Sequence, residues 1–268
     1  MKKNILIIIA IALVCFSCGR GKRGMLTQRG KEIHDSWNGV TIQLIQNDII
    51  PAFHLDTWIS ATTDSARYAI EDRFFPFNKI RQEGANVYAI YNGAYKELTI
   101  NTFGQSLNDE GSHWLVCKYN EYRYNDGSRP QFLAYEEGEK LHISKNGDHW
   151  LIQMDSSENR GSYFQLNIKP LDNNGNILFY KNKFTLSGNG LYKYTGGPVY
   201  LSFNIQSSIL NDELPYAEGY YFVDGAVQFL AQYKNHEDIS VKAEYLGTSQ
   251  IAITYKNITE YWNNSNYW

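Results

Sequence analysis

From residue 87 onward the chain is a succession of short segments that alternate apolar and polar residues, and turn residues separate them. Asn92-Gly93 stands between two such segments, 87–91 and 94–101, and Asn-Gly supplies the positive φ angles that a tight hairpin turn requires. Closely spaced strands with turns of this kind predict an all-β fold, either an antiparallel β-sandwich or a barrel-like meander built from repeated hairpins. The other strands predicted in this way are 163–169, 177–186, 199–206, 226–233, 239–246 and 250–257.

Two stretches of the chain look like copies of one hairpin unit. Each has a strand that contains an alanine (Ala89 and Ala134), and each ends in Gly-x-His-Trp-Leu, beginning at Gly111 and at Gly147. A unit used twice predicts a repeated β meander. Chance similarity between hairpins is the alternative, because strands share composition. The tryptophan of each copy is expected in the core.

Glycine-containing segments predict further turns between strands. Segment 136–138, Glu-Glu-Gly, would separate strands 132–135 and 140–144. Segments 187–190 and 224–225 carry the same kind of signal.

The part of the body before residue 87 has weaker patterns. Residues 40–46 alternate apolar and polar side chains, and this pattern predicts a first strand. Residues 62–73 predict one short helix, because Thr62 or Thr63 can cap it and Asp64 favours the positive end of a helix. Pro76 ends this pattern.

The N-terminus has the order of residues found in secretory signals. Lys2 and Lys3 precede the apolar run 5–16, which is shorter than the roughly 20 residues of a membrane-spanning helix. Ser17-Cys18 then resembles a bacterial lipobox, in which the cysteine becomes the lipidated first residue of the mature chain. The resemblance implies that 1–17 is a cleaved signal peptide and that Cys18 is the lipidation site.

A basic tether follows the cysteine, since residues 18–31 contain glycine, lysine and arginine and no acidic residue occurs before Glu32. The all-β body is then 32–268, with a sub-boundary near 155–161 if there are two domains. In lipoproteins of the Bacteroidota type, which this N-terminus resembles, surface export is usually associated with acidic residues after the cysteine. The resemblance therefore implies an outer-membrane lipoprotein that faces the periplasm, with the cell surface as the alternative.

Charge excludes one class of partner. The net charge is -3, and all 28 acidic residues lie from Glu32 onward. Nucleic-acid binding needs clustered lysine and arginine, so no nucleic-acid partner is expected. The expected partners are the membrane, through the lipid, and a polysaccharide or an envelope protein.

Residues with catalytic or metal-binding chemistry form no recognisable motif. His142 and His149 can approach each other beside Asp148, but zinc needs three or four converging ligands. Cys117, the one cysteine left besides Cys18 after processing, is more typical of a small buried hydrophobe than of a nucleophile. Neither metal nor cofactor is expected, and an enzyme is not the favoured class.

Aromatic residues are abundant, with 21 Tyr, 13 Phe and 6 Trp, and they provide the candidate binding residues. Tyr122 and Tyr124 share one strand face, and Tyr192 and Tyr194 form a similar pair. Exposed rings can stack on the apolar faces of sugars, although such rings also fill β-sheet cores. The favoured function is a lipid-anchored envelope protein that binds a glycan or a partner protein without catalysis. A structural or pilin-like subunit is the first alternative, and a glycoside-active hydrolase with paired carboxylates is the second.

Overall fold

The computed structural model describes residues 28–42, 44–74, 78–93, 95–124, 132–154, 162–170, 184–193, 200–211, 221–234, 236–247 and 250–263. The chain begins there with a long central helix over 28–60. Its middle, Ile45–Ile49, has π-helical geometry, and its last part is Ile50–Ser60. A short helix, Asp64–Phe74, follows it.

Thirteen described strands make up the rest of the structure. They are β1 Asn78–Gln82, β2 Val87–Asn92, β3 Tyr95–Asn101, β4 His113–Tyr124, β5 Phe132–Asn146, β6 His149–Met154, β7 Tyr163–Pro170, β8 Phe184–Lys193, β9 Tyr200–Asn211, β10 Tyr221–Gln232, β11 Ile239–Leu246, β12 Gln250–Tyr255 and β13 Ile258–Asn263.

All thirteen strands belong to one antiparallel sheet, in which each strand pairs with its neighbours in the chain. Laid flat at about 4.8 Å per strand, such a sheet would be far wider than a helix of about 10 Å diameter. The central helix nevertheless contacts strands from β2 to β12, so the sheet curls around it. The sheet is not closed, because β1 and β13 are its two ends. The all-β prediction, with one short helix near 62–73, is confirmed.

The helix supplies the apolar surface that the concave side of the sheet needs. Trp37 is fully buried and packs against Phe203, Phe222 and Phe229 with ring centroids 5.1–5.8 Å apart. Nearer its end, Phe53 meets Trp150 of β6 edge-on at 5.4 Å. One helix therefore covers the inner face of most of the sheet.

The predicted strand at 40–46 is wrong, because these residues lie in the central helix. Alternation over seven residues hid a helical period that the flanking residues show. Trp37, Thr41, Leu44, Asp48 and Ala52 are all buried, with spacings of three or four. Packing inside the sheet outweighs the weak helix propensity of the β-branched residues here.

Asp56 fixes the end of the central helix to the β3–β4 loop. Its carboxylate accepts hydrogen bonds from Ser106 Oγ (3.0 Å), the backbone N–H of Leu107 (3.1 Å) and Asn108 Nδ2 (3.0 Å). The carbonyl oxygen of Leu107 in turn accepts the indole N–H of Trp150 at 2.9 Å. The loop is thereby held across the helix end, and Leu107 is fully buried.

The predicted copies are partly confirmed. Both His-Trp-Leu segments begin strands, β4 and β6, and Trp114 and Trp150 are buried as expected. The hairpin β2–β3 also forms. Asn92 is the last paired residue of β2 and not a turn residue, and Gly93, at φ 61°, begins the turn. The second copy has no hairpin, because 136–138 lie inside the single strand β5.

Three predicted turns are instead positions inside long strands. In β5, Gly138 and Glu139 together oppose Lys118 of β4, which is a β-bulge. Segment 224–225 is a register irregularity within β10. Segment 187–190 lies in the middle of β8, where a glycine allows the backbone of a neighbouring strand to come close and does not form a turn.

Strands β6 and β7, on either side of 155–161, pair in register within the sheet. Segment 155–161, the predicted signal peptide 1–17 and most of the predicted tether 18–31 lie outside the described residues; 28–31 are helical. Among the described residues, none of the helices has the length and apolar content to span a membrane.

Gly188 provides a test of this packing. Its φ is 141°, and a Cβ at this position would lie 2.1 Å from the backbone oxygen of Gln165 on β7. We expect Gly188→Ala to lower the free energy of unfolding by about 3 kcal/mol or more, because it combines backbone strain with overpacking. Gly84→Ala is the matched control, since its Cβ would meet only Val87 at 3.5 Å. Urea unfolding measures both; equal effects would contradict the close approach of β7 and β8.

Candidate functional site

A row of amide side chains crosses the outer face of the sheet. Strand alternation turns Gln153, Gln165, Asn189, Asn204 and Gln228 outward, and each is exposed. Successive members are register partners on neighbouring strands from β6 to β10. These five residues, called the amide row below, span about 19 Å at about 4.8 Å per strand.

Asparagine is an unusual choice for a strand position, and glutamine is not among the residues that strands favour. Asn is depleted in strands, whereas Thr and other β-branched residues favour them. Within the described part of the chain, the five amides make no hydrogen bonds with other side chains. Each therefore offers a carbonyl acceptor and an N–H₂ donor to solvent or to a ligand. Local propensity does not explain the row, and conflicts of this kind concentrate at functional sites.

The residues beside the amide row carry no charge either. On one side Tyr163 pairs with Leu191, Leu191 with Ser202, and Ser202 with Leu230. The ring of Tyr163 is 46% exposed and Leu230 is 38% exposed. On the other side lie Leu151, Asn167, Ser187, Gln206 and Ala226. The amide row and these flanking residues together are called the neutral panel below.

Charged residues begin where the neutral panel ends. Gln228 pairs with Lys242 of β11, and Lys242 Nζ is 2.7 Å from Glu244 Oε1. Lys169 of β7 forms an ion pair with Asp148. Because charged side chains normally protect a solvated sheet from association, their absence from the panel marks it as a distinct surface.

A cluster of three rings continues the amide row beyond β6. His142 pairs with Gln153 across β5 and β6, and its Nδ1 is 3.3 Å from His113 Nε2. The two imidazole planes are nearly parallel, at 25°, with ring centroids 5.2 Å apart. Phe103 lies against His113 at 5.7 Å and 28°, and half of its surface is exposed. Phe103, His113 and His142 are called the ring cluster below.

The backbone of Phe103 is strained. Its φ is 51°, a left-handed conformation that is uncommon for a bulky residue. Asn101 Oδ1 accepts the backbone N–H of Phe103 at 3.0 Å, and Thr102 Oγ1 accepts that of Gly104 at 3.3 Å. Strained residues of this kind cluster at functional sites.

The structure gives the predicted binding residues different positions. Tyr122 and Tyr124 lie in β4, where their backbones pair with Ala134 and Phe132. Tyr192 is buried and stacks on Phe203 at 5.2 Å, so it is not part of an exposed platform. Tyr194 and Cys18 lie outside the described residues. Ligand binding by these tyrosines and lipidation of Cys18 stay predictions.

Among the described residues, no group of three or more His, Cys, Asp or Glu side chains is arranged to hold a metal ion. His142 contacts His113 rather than His149, and His149 is 3.3 Å from Asp148. Cys117 is half-buried and makes no disulfide.

Neither the amide row nor the ring cluster was predicted from the sequence. The sequence signal for the row is that amide residues occupy outward positions of several strands. These residues form a row only through the register that pairs neighbouring strands, which the sequence does not show. Comparison with protein-family models, curated proteins and solved structures finds no match to this chain.

The ring cluster yields a test by titration. Burial, and secondarily the neighbouring His142, hold the pKa of His113 below its ordinary value of 6.5. We expect His142→Gln to raise the pKa of His113 only part of the way, because burial remains. NMR titration of the imidazole carbons measures this shift, and His149→Gln is the control that leaves it unchanged. An unchanged pKa of His113 in His142→Gln would contradict the contact.

Proposed function

We propose that this chain is a lipid-anchored protein of the bacterial envelope that binds a neutral polysaccharide on the neutral panel, without catalysing a reaction. The observation that carries the proposal is the amide row. It presents five exposed amides in register on adjacent strands, with no charged side chain among them.

The chemistry of the panel matches that of a sugar chain. Sugar hydroxyls both donate and accept hydrogen bonds, and each amide of the row does the same. The apolar face of a sugar ring can pack on an aromatic side chain, and Tyr163 and Phe103 are the exposed rings beside the row. Binding of an uncharged ligand to this uncharged surface also avoids the penalty of removing a charged group from water.

The shape of the surface suits a chain rather than a single small molecule. The row is about 19 Å long, and it lies on the convex face of one continuous sheet. Strands hold its side chains at fixed spacings, so the side chains lose little conformational entropy when a ligand binds. A polysaccharide laid across the strands can meet one amide per strand.

The N-terminus supplies the location in this proposal. Lipid on Cys18 would hold the body at the outer membrane, and the basic tether 18–31 favours the periplasmic side. Display at the cell surface is the alternative orientation. In either orientation the lipid is the membrane partner and the glycan is the ligand.

The first test removes two paired amides. In the double variant Gln165→Thr/Asn189→Thr we expect binding to weaken on the order of tenfold or more, because two central amides are replaced by shorter hydroxyl side chains that cannot reproduce the separate donor and acceptor of an amide. Stability should be unchanged or slightly raised, since threonine is the better strand former. Affinity electrophoresis through gels that contain soluble glucan, mannan or galactan measures binding, and urea unfolding measures stability.

Gln250→Thr is the matched control for this experiment. Gln250 is an exposed strand amide outside the row, at the start of β12, so its loss should leave binding unchanged. A gel that contains the acidic polysaccharide polygalacturonate tests the neutrality of the ligand. If no neutral polysaccharide retards the wild-type protein, or if polygalacturonate retards it more, the proposed glycan class is wrong.

The anchor has a separate test. In the native cell, Cys18→Ser should move the protein from the membrane fraction to the soluble fraction, because a lipid on that thiol is the proposed attachment. Metabolic labelling with a radioactive fatty acid should mark the wild-type protein and not the variant. Cys117→Ser is the control, and label that persists in Cys18→Ser would contradict the anchor without bearing on glycan binding.

A further inference from the structure

A small cavity lies between the central helix and the inner face of β4–β8, on the opposite side of the sheet from the neutral panel. Its volume is about 190 Å³. The strand β6 separates the two sites, since Met154 lines the cavity while its neighbour Gln153 belongs to the amide row. The residues that line this space, called the Asp48 cavity below, are Val40, Leu44, Asp48, Lys118, Glu139, Met154, Ser162, Phe164, Tyr192 and Lys193.

The carboxylate of Asp48 is the buried polar group of this cavity. Its side chain is 3% exposed, and Asp48 Oδ2 is 3.2 Å from Lys118 Nζ. Asp48 belongs to the π-helical segment Ile45–Ile49 of the central helix. Short π-helical segments inside α-helices occur frequently at functional sites. A buried carboxylate must be paired with a positive charge or with hydrogen-bond donors. Its partner Lys118 is only partly buried, with 38% of its side chain exposed.

Two irregularities of secondary structure bring the charges together. The π-helical segment presents Asp48 to the sheet, and the bulge in β5 places Gly138 and Glu139 opposite Lys118. Burial, with smaller contributions from the charges of Glu139 and Glu97, raises the pKa of Asp48 to about 6 in spite of Lys118. Asp48, Glu139 and Glu97 thus carry three negative charges against the two lysines of the cavity, Lys118 and Lys193, and this balance favours an additional cation.

Apart from Ser162 and Lys193, the remaining walls are apolar or aromatic and include two rings. Leu44, Met154 and Phe164 are buried, and the ring of Tyr192 stacks behind them on Phe203. Aromatic faces attract ammonium groups at close range. The volume is about that of six water molecules, and an apolar cavity of about 150 Å³ can hold one benzene ring.

From this arrangement we propose that the Asp48 cavity is a second binding site, which takes a small ligand with a protonated amine on a compact apolar body. The amine pairs with the carboxylates of Asp48 and Glu139, and the apolar body packs on Leu44, Met154 and Phe164. No residue of the neutral panel contributes to this site. Failure of polysaccharide binding would therefore leave this proposal intact, and failure of this proposal would leave polysaccharide binding intact.

Three probes of equal shape test the proposal: benzylammonium, the neutral benzyl alcohol and the anionic benzoate. We expect isothermal titration calorimetry on the purified protein to show saturable binding of benzylammonium at about pH 8, with benzyl alcohol on the order of tenfold weaker. Benzoate should not bind. A preference for benzoate, equal binding of the alcohol, or no binding of benzylammonium would each overturn the proposal.

Binding should also depend on pH with a definite sign. Since the pKa of Asp48 is about 6, its negative charge is lost as the pH falls through that value. Affinity for benzylammonium should therefore fall on the order of tenfold between about pH 8 and about pH 5. An affinity that is constant across this range would contradict a role for Asp48.

Two variants separate the charge from the space. Asp48→Asn keeps the shape and removes the charge, and Leu44→Phe keeps the charge and fills the cavity. Both should weaken benzylammonium binding on the order of tenfold or more, while Asp224→Asn, an exposed carboxylate on β10, should not. Thermal unfolding establishes that each variant is folded. Wild-type affinity in either folded cavity variant would place the ligand elsewhere and overturn the proposal.

Discussion

The burial of one helix by one sheet is the contact on which the rest of the structure depends. A meander of thirteen strands has a long apolar face, and no second sheet among the described strands covers it. The central helix fills that role, with Trp37, Ile49 and Leu55 almost fully buried along its length. Burying side chains of this size contributes about 1.5–3 kcal/mol each. The sheet must curl to reach the helix, and the amide row on its outer face is exposed.

Three buried polar residues fix how the helix sits in the sheet. His34 Nε2 is 3.0 Å from the hydroxyl of Tyr245 on β11, and Asp48 pairs with Lys118 on β4. Asp56 accepts hydrogen bonds from the β3–β4 loop. Burial lowers the pKa of His34 and raises the pKa of Asp48 and Asp56, so it shifts each of the three groups toward its neutral form. Apolar packing tolerates rotation of a helix, but these directional contacts do not.

The sequence predicted the class of fold and most of the strands, because alternation and turn residues are local signals. It did not predict the central helix correctly at 40–46, since alternation over these seven residues hid the helical period that the flanking residues show. It also assigned turns to glycines at 138, 188 and 225, which lie inside strands. At Gly188 the reason is the approach of the Gln165 backbone, a contact from another strand that no local pattern records. Conversely, the tight turn at Lys256 and Asn257, both with positive φ, lacks the Asn-Gly signal and was predicted as strand.

The candidate sites were hidden for the same physical reason. The prediction from aromatic residues concerned single strand faces, and Tyr192 proved to be a buried ring. The amide row exists only as a relation between strands: Gln165 and Asn189 are far apart in sequence and directly opposite in the sheet. Likewise Asp48 and Lys118 meet through a π-helical segment and a bulge, neither of which has a sequence signature here.

The lack of charge on the neutral panel is the strongest reason to regard that surface as functional. Exposed strands rich in Asn and Gln, with few charges, resemble the segments that stack into amyloid, so they carry a risk of aggregation. Lysine or glutamate at any of the five amide positions would reduce that risk, and threonine would suit the strands better. Neither solubility nor folding therefore accounts for an uncharged amide at Gln153, Gln165, Asn189, Asn204 and Gln228 alike. A ligand that needs hydrogen bonds without charge accounts for all five.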